Sequence, residues 1–240
     1  MANQGPLYPS TGINITTFGN AWGNVGDIVA DDFDYATLPF TDTTYSDWLA
    51  GYGYGFSIPA GATIVGVLVE VGLYESTTGD TIRPRALLFS TTPTGGSIGG
   101  TITHSDYVVQ GSEEHISFGD ATNLWSTAGA LTPTIVNSAN FGAGFQLRTV
   151  TGVLGDTILV DDIRITIYYT VGYSLTVDSG SYALTGQAVD LSLTRTVSLS
   201  KGTYVLTGTA TFFNSGKILS ALVGTYTLTG QSVRIIYPKS

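Results

Sequence analysis

The chain has 240 residues, 18 acidic against 9 basic, and only 11% of its residues are charged. Cysteine is absent, which excludes a disulfide framework and thiolate chemistry, and no apolar run approaches the ~20 residues that a membrane helix needs. Residues 1–170 hold 4 Arg, no Lys and 16 acids (−12), whereas residues 171–240 hold 5 basic and 2 acidic residues (+3). The acidic part is unsuited to nucleic acid, whose phosphates require clustered Lys and Arg, and the change of sign marks a boundary near residue 170.

Residues 1–20 are polar and turn-rich, with Gly5-Pro6 and Tyr8-Pro9. They read as an N-terminal arm or edge segment, lying along a neighbouring subunit or packed locally. Met1-Ala2-Asn3-Gln4 does not open a basic-then-apolar stretch, so no secretory signal is expected. Next come Trp22 and the run Asp31-Asp32-Phe33-Asp34-Tyr35. Its carboxylates suit Ca²⁺, but the spacing is not that of an EF-hand, and a solvated, Asx-capped turn is the expected account.

Tyr45, Trp48, Tyr52, Tyr54 and Phe56 form an aromatic-rich stretch. Exposed flat rings stack on the apolar faces of sugars, which makes Trp48, Tyr52 and Tyr54 candidate glycan-stacking residues. The alternation Tyr52-Gly53-Tyr54-Gly55-Phe56 also matches a strand with one buried aromatic face, and that core reading is favoured.

Pro59 and Gly61 stop one strand, and residues 64–74 form the next, with Val65, Val67, Val69 and Val71 opposite Gly66, Leu68 and Glu70. Further strands are predicted over 85–89, 101–109, from Ile116, over 141–148 and over 158–170; in the last, Ile163, Ile165, Ile167 and Tyr169 oppose Arg164, Thr166 and Tyr168. Residues 95–100 read as a flexible loop. Residues 123–125 and 134–137 read as short helical turns, with Pro133 suited to a helix start. No long helix is predicted. About eight short strands give an all-β fold class, a jelly-roll-like β-sandwich over residues 21–170.

Residues 180–186 read Gly-Ser-Tyr-Ala-Leu-Thr-Gly, and the pattern returns at 202–208 and 224–230, a spacing of 22 residues each time. A fixed period of this size marks a repeat architecture in which neighbours stack to bury a shared face. Tyr204 and Leu206 are two apart and share a strand face. Each unit is about three short strands with tight turns, so residues 171–240 form a small 22-residue β-repeat domain. Two full and two partial units are few for a solenoid. Support from the preceding domain or from other copies, most simply a homotrimer, is therefore expected to cover the open edges.

No catalytic constellation is legible. The chain has two histidines, His104 and His115, and no Gly-x-Ser-x-Gly elbow, His-Glu-x-x-His pair or phosphate-binding loop. In Glu113-Glu114-His115 only Glu113 and His115 converge if the segment is a strand; a solvated loop is the expected state. Nothing selects a carboxylate pair for glycoside cleavage. The expectation is a non-enzyme without catalytic residues, cofactor or resident metal.

A wider set of residues resembles a β-sandwich family common among tailed-bacteriophage virion proteins. It comprises Gly5-Pro6, Trp22, Asp32 with Tyr35-Ala36, the run Phe56 to Ile64 with Gly66, Leu124-Trp125, Asn140-Phe141-Gly142, and Val160-Asp161 leading into Ile165 to Thr170. The Gly-Thr-Tyr-x-Leu-Thr-Gly repeat is similar to modules appended to such proteins, especially in phages of aquatic bacteria. The resemblance implies a structural virion role and supplies no catalytic residues. The expected protein is made in the host cytoplasm, sits on the particle surface, and contacts copies of itself and the major capsid or tail proteins. Neither nucleic acid nor membrane is an expected partner. It stabilises the capsid as a decoration (cement) protein or head fibre; the alternative is a tail-fibre or receptor-binding protein that adsorbs to host surface glycan. Because like charges across an interface cost affinity, the mildly basic repeat domain makes Arg195, Lys201, Lys217 and Arg234 the candidate attachment contacts.

Overall fold

The valine and isoleucine alternations produce two strands longer than the rest, Ala62–Glu75 and Thr157–Val171, paired antiparallel along nearly their whole length. The structure, a computed structural model, describes residues 1–17, 19–39, 44–75, 79–90, 97–126, 131–151 and 156–171, and from residue 173 onward the backbone of the strands alone. It divides into two units, Met1–Val171 and Gly172–Ser240.

The first unit contains β1 (Ala2–Leu7), β2 (Thr11–Ile15), β3 (Ala36–Pro39), β4 (Trp48–Tyr52), β5 (Ala62–Glu75), β6 (Thr81–Phe89), β7 (Ser97–Thr103), β8 (Tyr107–Val108), β9 (Glu114–Asp120), α1 (Pro133–Val136), β10 (Gly142–Thr151) and β11 (Thr157–Val171). One antiparallel sheet runs β1-β11-β5-β9, with β3 also on β11; the other runs β2-β4-β10-β6-β7, with β8 on β6. Val67, Val69, Val71, Ile163, Ile165 and Ile167 of the first sheet and Leu49, Ala86, Leu88, Phe145 and Leu147 of the second share one buried cluster. Phe118 of β9 and Phe145 of β10 meet across the sheets with ring centres 6.1 Å apart. The unit is a jelly-roll-like β-sandwich.

Two bulges interrupt the β5–β11 ladder. The register skips Val65 on β5 and Asp161 on β11. A bulge shifts the side-chain phase of everything beyond it. Ile64 therefore enters the core at 4% exposure, and Val65, expected on the core face with Val67, is only half-buried. At the other bulge, Asp161 and Asp162 follow one another between the core residues Val160 and Ile163.

Of the two readings of residues 1–20, arm or edge segment, the structure shows the edge segment: both strands are built into the sheets. β1 pairs with β11 through Asn3↔Tyr168 and Leu7↔Ile165, and β2 pairs with β4 through Ile13↔Ala50. Its polar residues belong to edge strands, where one side of the ladder stays open. Residues 97–103 are strand rather than the glycine loop expected up to residue 100. The aromatic alternation after Tyr52 is not a strand, because Gly53 (φ +79°) and Gly55 (φ +70°) take left-handed conformations that favour glycine. The core reading of its side chains holds: Tyr54 and Phe56 are buried and stack at 6.0 Å. Pro133 does start a helix, capped by the Thr132 side chain, which accepts a hydrogen bond from the Ile135 amide. Trp125 instead sits at φ +54° and donates its indole N–H to the Val67 carbonyl at 2.9 Å.

The second unit contains β12 (Tyr173–Val177), β13 (Ser181–Gly186), β14 (Val189–Asp190), β15 (Arg195–Leu199), β16 (Thr203–Gly208), β17 (Thr211–Phe213), β18 (Ile218–Ala221), β19 (Thr225–Gly230) and β20 (Val233–Ile235). They form three parallel sheets, β12-β15-β18, β13-β16-β19 and β14-β17-β20. Parallel neighbours require a long crossover, and here the other two strands of each repeat provide it. The 22-residue period is the register itself: Tyr182 pairs with Tyr204, and Tyr204 with Tyr226. Each repeat gives one strand to each sheet, the winding of a parallel β-solenoid.

Phe145 touches both Trp22 and Phe118 at ring separations of 6.1 Å and is fully buried. Phe145→Ala is expected to cost about 3–5 kcal/mol in denaturant unfolding, whereas Phe33→Ala, at a ring 71% exposed, should change stability by less than about 0.5 kcal/mol. Equal effects would contradict the core assignment.

Candidate functional site

The outer face of the second sheet carries a separate cluster of Ala50, Leu87 and Phe89, packed with Ile13, Ile15 and Trp48. Strand alternation places it there. With Leu49, Phe145, Leu147, Ala86 and Leu88 in the core, Trp48, Ala50 and Tyr52 of β4, Gly142, Gly144, Gln146 and Arg148 of β10, and Arg83, Arg85, Leu87 and Phe89 of β6 point the other way. The register sets Gln146 opposite Arg85, Arg148 opposite Arg83, and Gly144 between Leu87 and Ala50. A Cβ on Gly144 would lie 2.7 Å from the Phe89 ring and 3.3 Å from Trp48. The missing side chain lets both rings close over β10, so Ala50, Leu87 and Phe89 are buried while Trp48 stays half-exposed.

Guanidinium groups border Trp48 on this face. The Arg85 guanidinium lies 3.7 Å above the Tyr45 ring centre and 5.2 Å from that of Trp48, and Arg148 lies 5.6 Å from Tyr45. Such stacking fixes the guanidinium plane while leaving N–H edges free to bind. Arg85 Nε donates to Gln146 Oε1 at 2.7 Å. The Gln146 amide in turn donates to the Ser46 carbonyl and to Thr17 Oγ1. Partial burial lowers the pKa of Arg85 from its ordinary value. Arg83 pairs with Asp106 at 2.7 Å and holds that carboxyl below its usual range. Asp47 braces the turn that leads into Trp48. It accepts from Asn14 Nδ2 and from the amides of Thr17 and Gly19, and its own carbonyl accepts the Trp22 indole N–H. Burial raises the pKa of the Asp47 carboxyl, but these bonds outweigh it and the net shift is downward.

The outer face of the first sheet is acidic. His115 of β9, Gly72 of β5 and Asp162 of β11 lie in one row across the sheet. His115 Nε2 reaches Asp162 Oδ2 at 2.7 Å over the bare glycine. A Cβ on Gly72 would meet Glu113 Oε1 at 2.7 Å, Asp162 Oδ2 at 2.8 Å and His115 Nε2 at 3.0 Å. A bridge between Val29 and Asp162 brings in the preceding segment, and the ligand atoms of Asp31, Glu113, His115 and Asp162 all lie within 4.8 Å of one another. The bulged Asp161 accepts from the amides of Asp32 at 3.4 Å and Phe33 at 3.2 Å. Burial and the neighbouring Asp161 push the Glu113 carboxyl up to about 7, and burial raises Asp161 and Asp162 as well.

No protein-family model matches the sequence, and no curated protein does. Solved structures with a similar chain path include a carbohydrate-binding module, TmCBM27, described for specific mannan recognition, at 14% identity and a TM-score of 0.37, covering 69% of this chain and 95% of that one. The CBM22-1 xylan-binding domain of Paenibacillus barcinonensis Xyn10C is 5% identical with a TM-score of 0.34, covering 65% and 85%. TmCBM61, in complex with β-1,4-galactotriose, is 12% identical with a TM-score of 0.30, covering 60% and 77%. At TM-scores below 0.5 such likenesses identify neither a family nor a ligand.

Of the candidate stacking residues, Trp48 and Tyr52 are half-buried on the outer face. Tyr54 is not available for stacking: it is 4% exposed and its hydroxyl donates to the Ile163 carbonyl at 3.1 Å. Arg195 lies in β15 and Arg234 in β20, whereas Lys201 and Lys217 fall outside the described residues. Glu113 and His115 converge, while Glu114 turns away to accept the Tyr107 hydroxyl at 2.8 Å. The segment expected as a solvated loop is thus the start of β9. The Asx turn expected among the early acids is present, with the Asp34 amide donating to Asp32 Oδ1, but Asp31 joins the acidic row. Sequence reasoning missed Arg85, Arg148, Gln146, Gly72 and Asp162. A usable signal was the pair Asp161-Asp162 inside an otherwise apolar strand, since consecutive buried acids need a reason.

Glu113 has its folded pKa raised above the ordinary carboxylate value of 4.5 to about 7. The native state therefore binds more protons than the unfolded chain between those values, and stability falls as pH rises through that window. In chelator, the melting temperature is expected to be several degrees higher at pH 5.5 than at pH 8, and Glu113→Gln should flatten the difference. A melting temperature that rises with pH over this range would contradict the acidic crowding.

Proposed function

We propose that the protein is a non-catalytic binding protein that adsorbs to a surface glycan through the outer face of the β2-β4-β10-β6-β7 sheet. The observation that carries this reading is the half-exposed Trp48 ring beside Gly144, with Arg85 held in a fixed orientation next to it by Gln146 and Tyr45. An indole face takes the apolar side of a sugar ring. Guanidinium N–H groups take its hydroxyl or carboxylate oxygens. Half-exposed groups spread over β4, β6 and β10 (Trp48, Tyr52, Arg85 and Arg148) suit a polymer.

The charge on this face also narrows the ligand. Three of the four arginines in residues 1–170, Arg83, Arg85 and Arg148, lie on it, in a segment with a formal charge of −12. Arg83 is engaged by Asp106, which leaves Arg85 and Arg148 beside Tyr45. Guanidinium matches carboxylate and sulfate edges, so the glycan is acidic.

The setting we propose is the surface of a tailed-phage particle, supported by the sequence resemblance and by the sparsely charged composition. Adsorption to a host glycan is favoured over capsid decoration because the aromatic–guanidinium face is already ordered for a ligand. In that setting the chain works beside copies of itself and beside capsid or tail proteins.

Affinity electrophoresis against alginate, as an acidic polysaccharide, and against neutral xylan tests the reading. Retardation by alginate is expected to exceed that by xylan and to weaken with salt. Trp48→Ala and Arg85→Ala should each reduce alginate affinity by roughly tenfold or more, the size of one lost charge-assisted or stacking contact. Unchanged retardation in both variants, or equal binding to both polymers, would contradict it.

A further inference from the structure

We propose that Asp31, Glu113, His115 and Asp162 bind a divalent transition-metal cation of the Zn²⁺ or Mn²⁺ class, held over Gly72 on the outer face of the β1-β11-β5-β9 sheet. The inference is independent of the glycan reading, which concerns the other sheet.

The arrangement has the parts of a built site. Its donors come from three places in the sequence: the segment after the Val29 bridge, the start of β9, and the bulge of β11. Their ligand atoms already lie within 4.8 Å of one another. Donors at about 2.0–2.2 Å from an ion stand about 3.3–3.6 Å apart in a tetrahedral set and about 4.0–4.4 Å apart when opposite in an octahedral one, so side-chain rotations that draw the outermost donors in by about 1 Å close the set. Asp162 is fully buried, yet its Oδ1 has no hydrogen-bond partner. A buried carboxylate oxygen left unpaired is costly, and a cation at this point would satisfy it. Gly72 is the third element. Any side chain there would meet the three donors at 3.0 Å or less, so the residue beneath the donors has to be glycine for them to converge.

Charge points the same way. Asp31, Glu113, Asp161 and Asp162 crowd one spot. Arg164, whose charge reaches Asp162, is shared with Glu70 at 3.3 Å. The donor chemistry selects among cations: oxygen donors alone would suit Ca²⁺ or Mg²⁺, whereas an imidazole nitrogen among carboxylates favours first-row transition ions. Asp161 has the supporting role. Held by the Asp32 and Phe33 amides, it fixes the loop that presents Asp31, as outer partners orient ligands in metal sites. The bound ion would staple the segment before β3 to β9 and β11.

The test uses the full chain, stripped with EDTA and resupplied separately with Zn²⁺, Mn²⁺, Ca²⁺ or Mg²⁺. Expected are about one equivalent of Zn²⁺ or Mn²⁺ retained after dialysis and a melting temperature raised by about 5–10 °C at saturating ion. Asp31→Asn, at an exposed position, should fold normally and bind roughly tenfold or more weakly; Gly72→Ala should abolish binding. No retained metal, stabilisation by Ca²⁺ or Mg²⁺ alone, or undiminished binding by Asp31→Asn would each overturn the proposal.

Discussion

The antiparallel ladder between β5 and β11 is the constraint on which the rest of the sandwich depends. The two strands span Ala62–Glu75 and Thr157–Val171, and every other strand of their sheet takes its place from them. β9 lies along β5. The free edge of β11 is shared by β3, the Val29 bridge and β1, in that order along the strand. A ladder this long is hard to slip, because a one-residue shift would turn the whole isoleucine and valine set toward solvent. The bulge at Asp161 is the exception the ladder tolerates, and it places two consecutive acids outside the core.

The two outer faces consequently differ in chemistry although they belong to one sandwich. One carries Asp31, Glu113, Asp161 and Asp162 around a single imidazole. The other carries Arg83, Arg85 and Arg148 with Tyr45 and Trp48. The core between them holds opposite fields apart, so an anionic polymer meets attraction on one side and repulsion on the other. Glycine has the same use on both faces. Gly144 removes a side chain so that rings can close over the strand, and Gly72 removes one so that charged groups can converge. In each case, a missing Cβ gives its larger neighbours room to meet.

Much of this architecture is legible in the sequence, and the rest is hidden for identifiable reasons. The alternation of Ile163, Ile165 and Ile167 and of Val67, Val69 and Val71 is period-two burial, and all six are in the core. The 22-residue spacing of Tyr182, Tyr204 and Tyr226 is a parallel register. Residues 1–20 carry a weak local signal because an edge strand takes its hydrogen bonds from a partner distant in sequence. β1 pairs with residues near 167 and β2 with residues near 50. The bulges at Val65 and Asp161 leave no local signature, since each is defined only against the opposing strand. The face around Trp48 was half visible. The aromatics stand out along the chain, but Arg85, Gln146 and Arg148 join them only through cross-strand register. Tyr54 shares their composition and is buried because Gly53 redirects the chain at φ +79°.

Backbone and indole amide shifts of the ¹⁵N-labelled full chain, titrated with an acidic oligosaccharide, test the central claim most directly. The glycan reading expects perturbations concentrated at the Trp48 indole, Gly142, Gly144, Gln146 and Arg85, with the β5 and β9 amides of the other sheet unmoved. Perturbations confined to the acidic face or to residues 172–240, or none at saturating ligand, would contradict it.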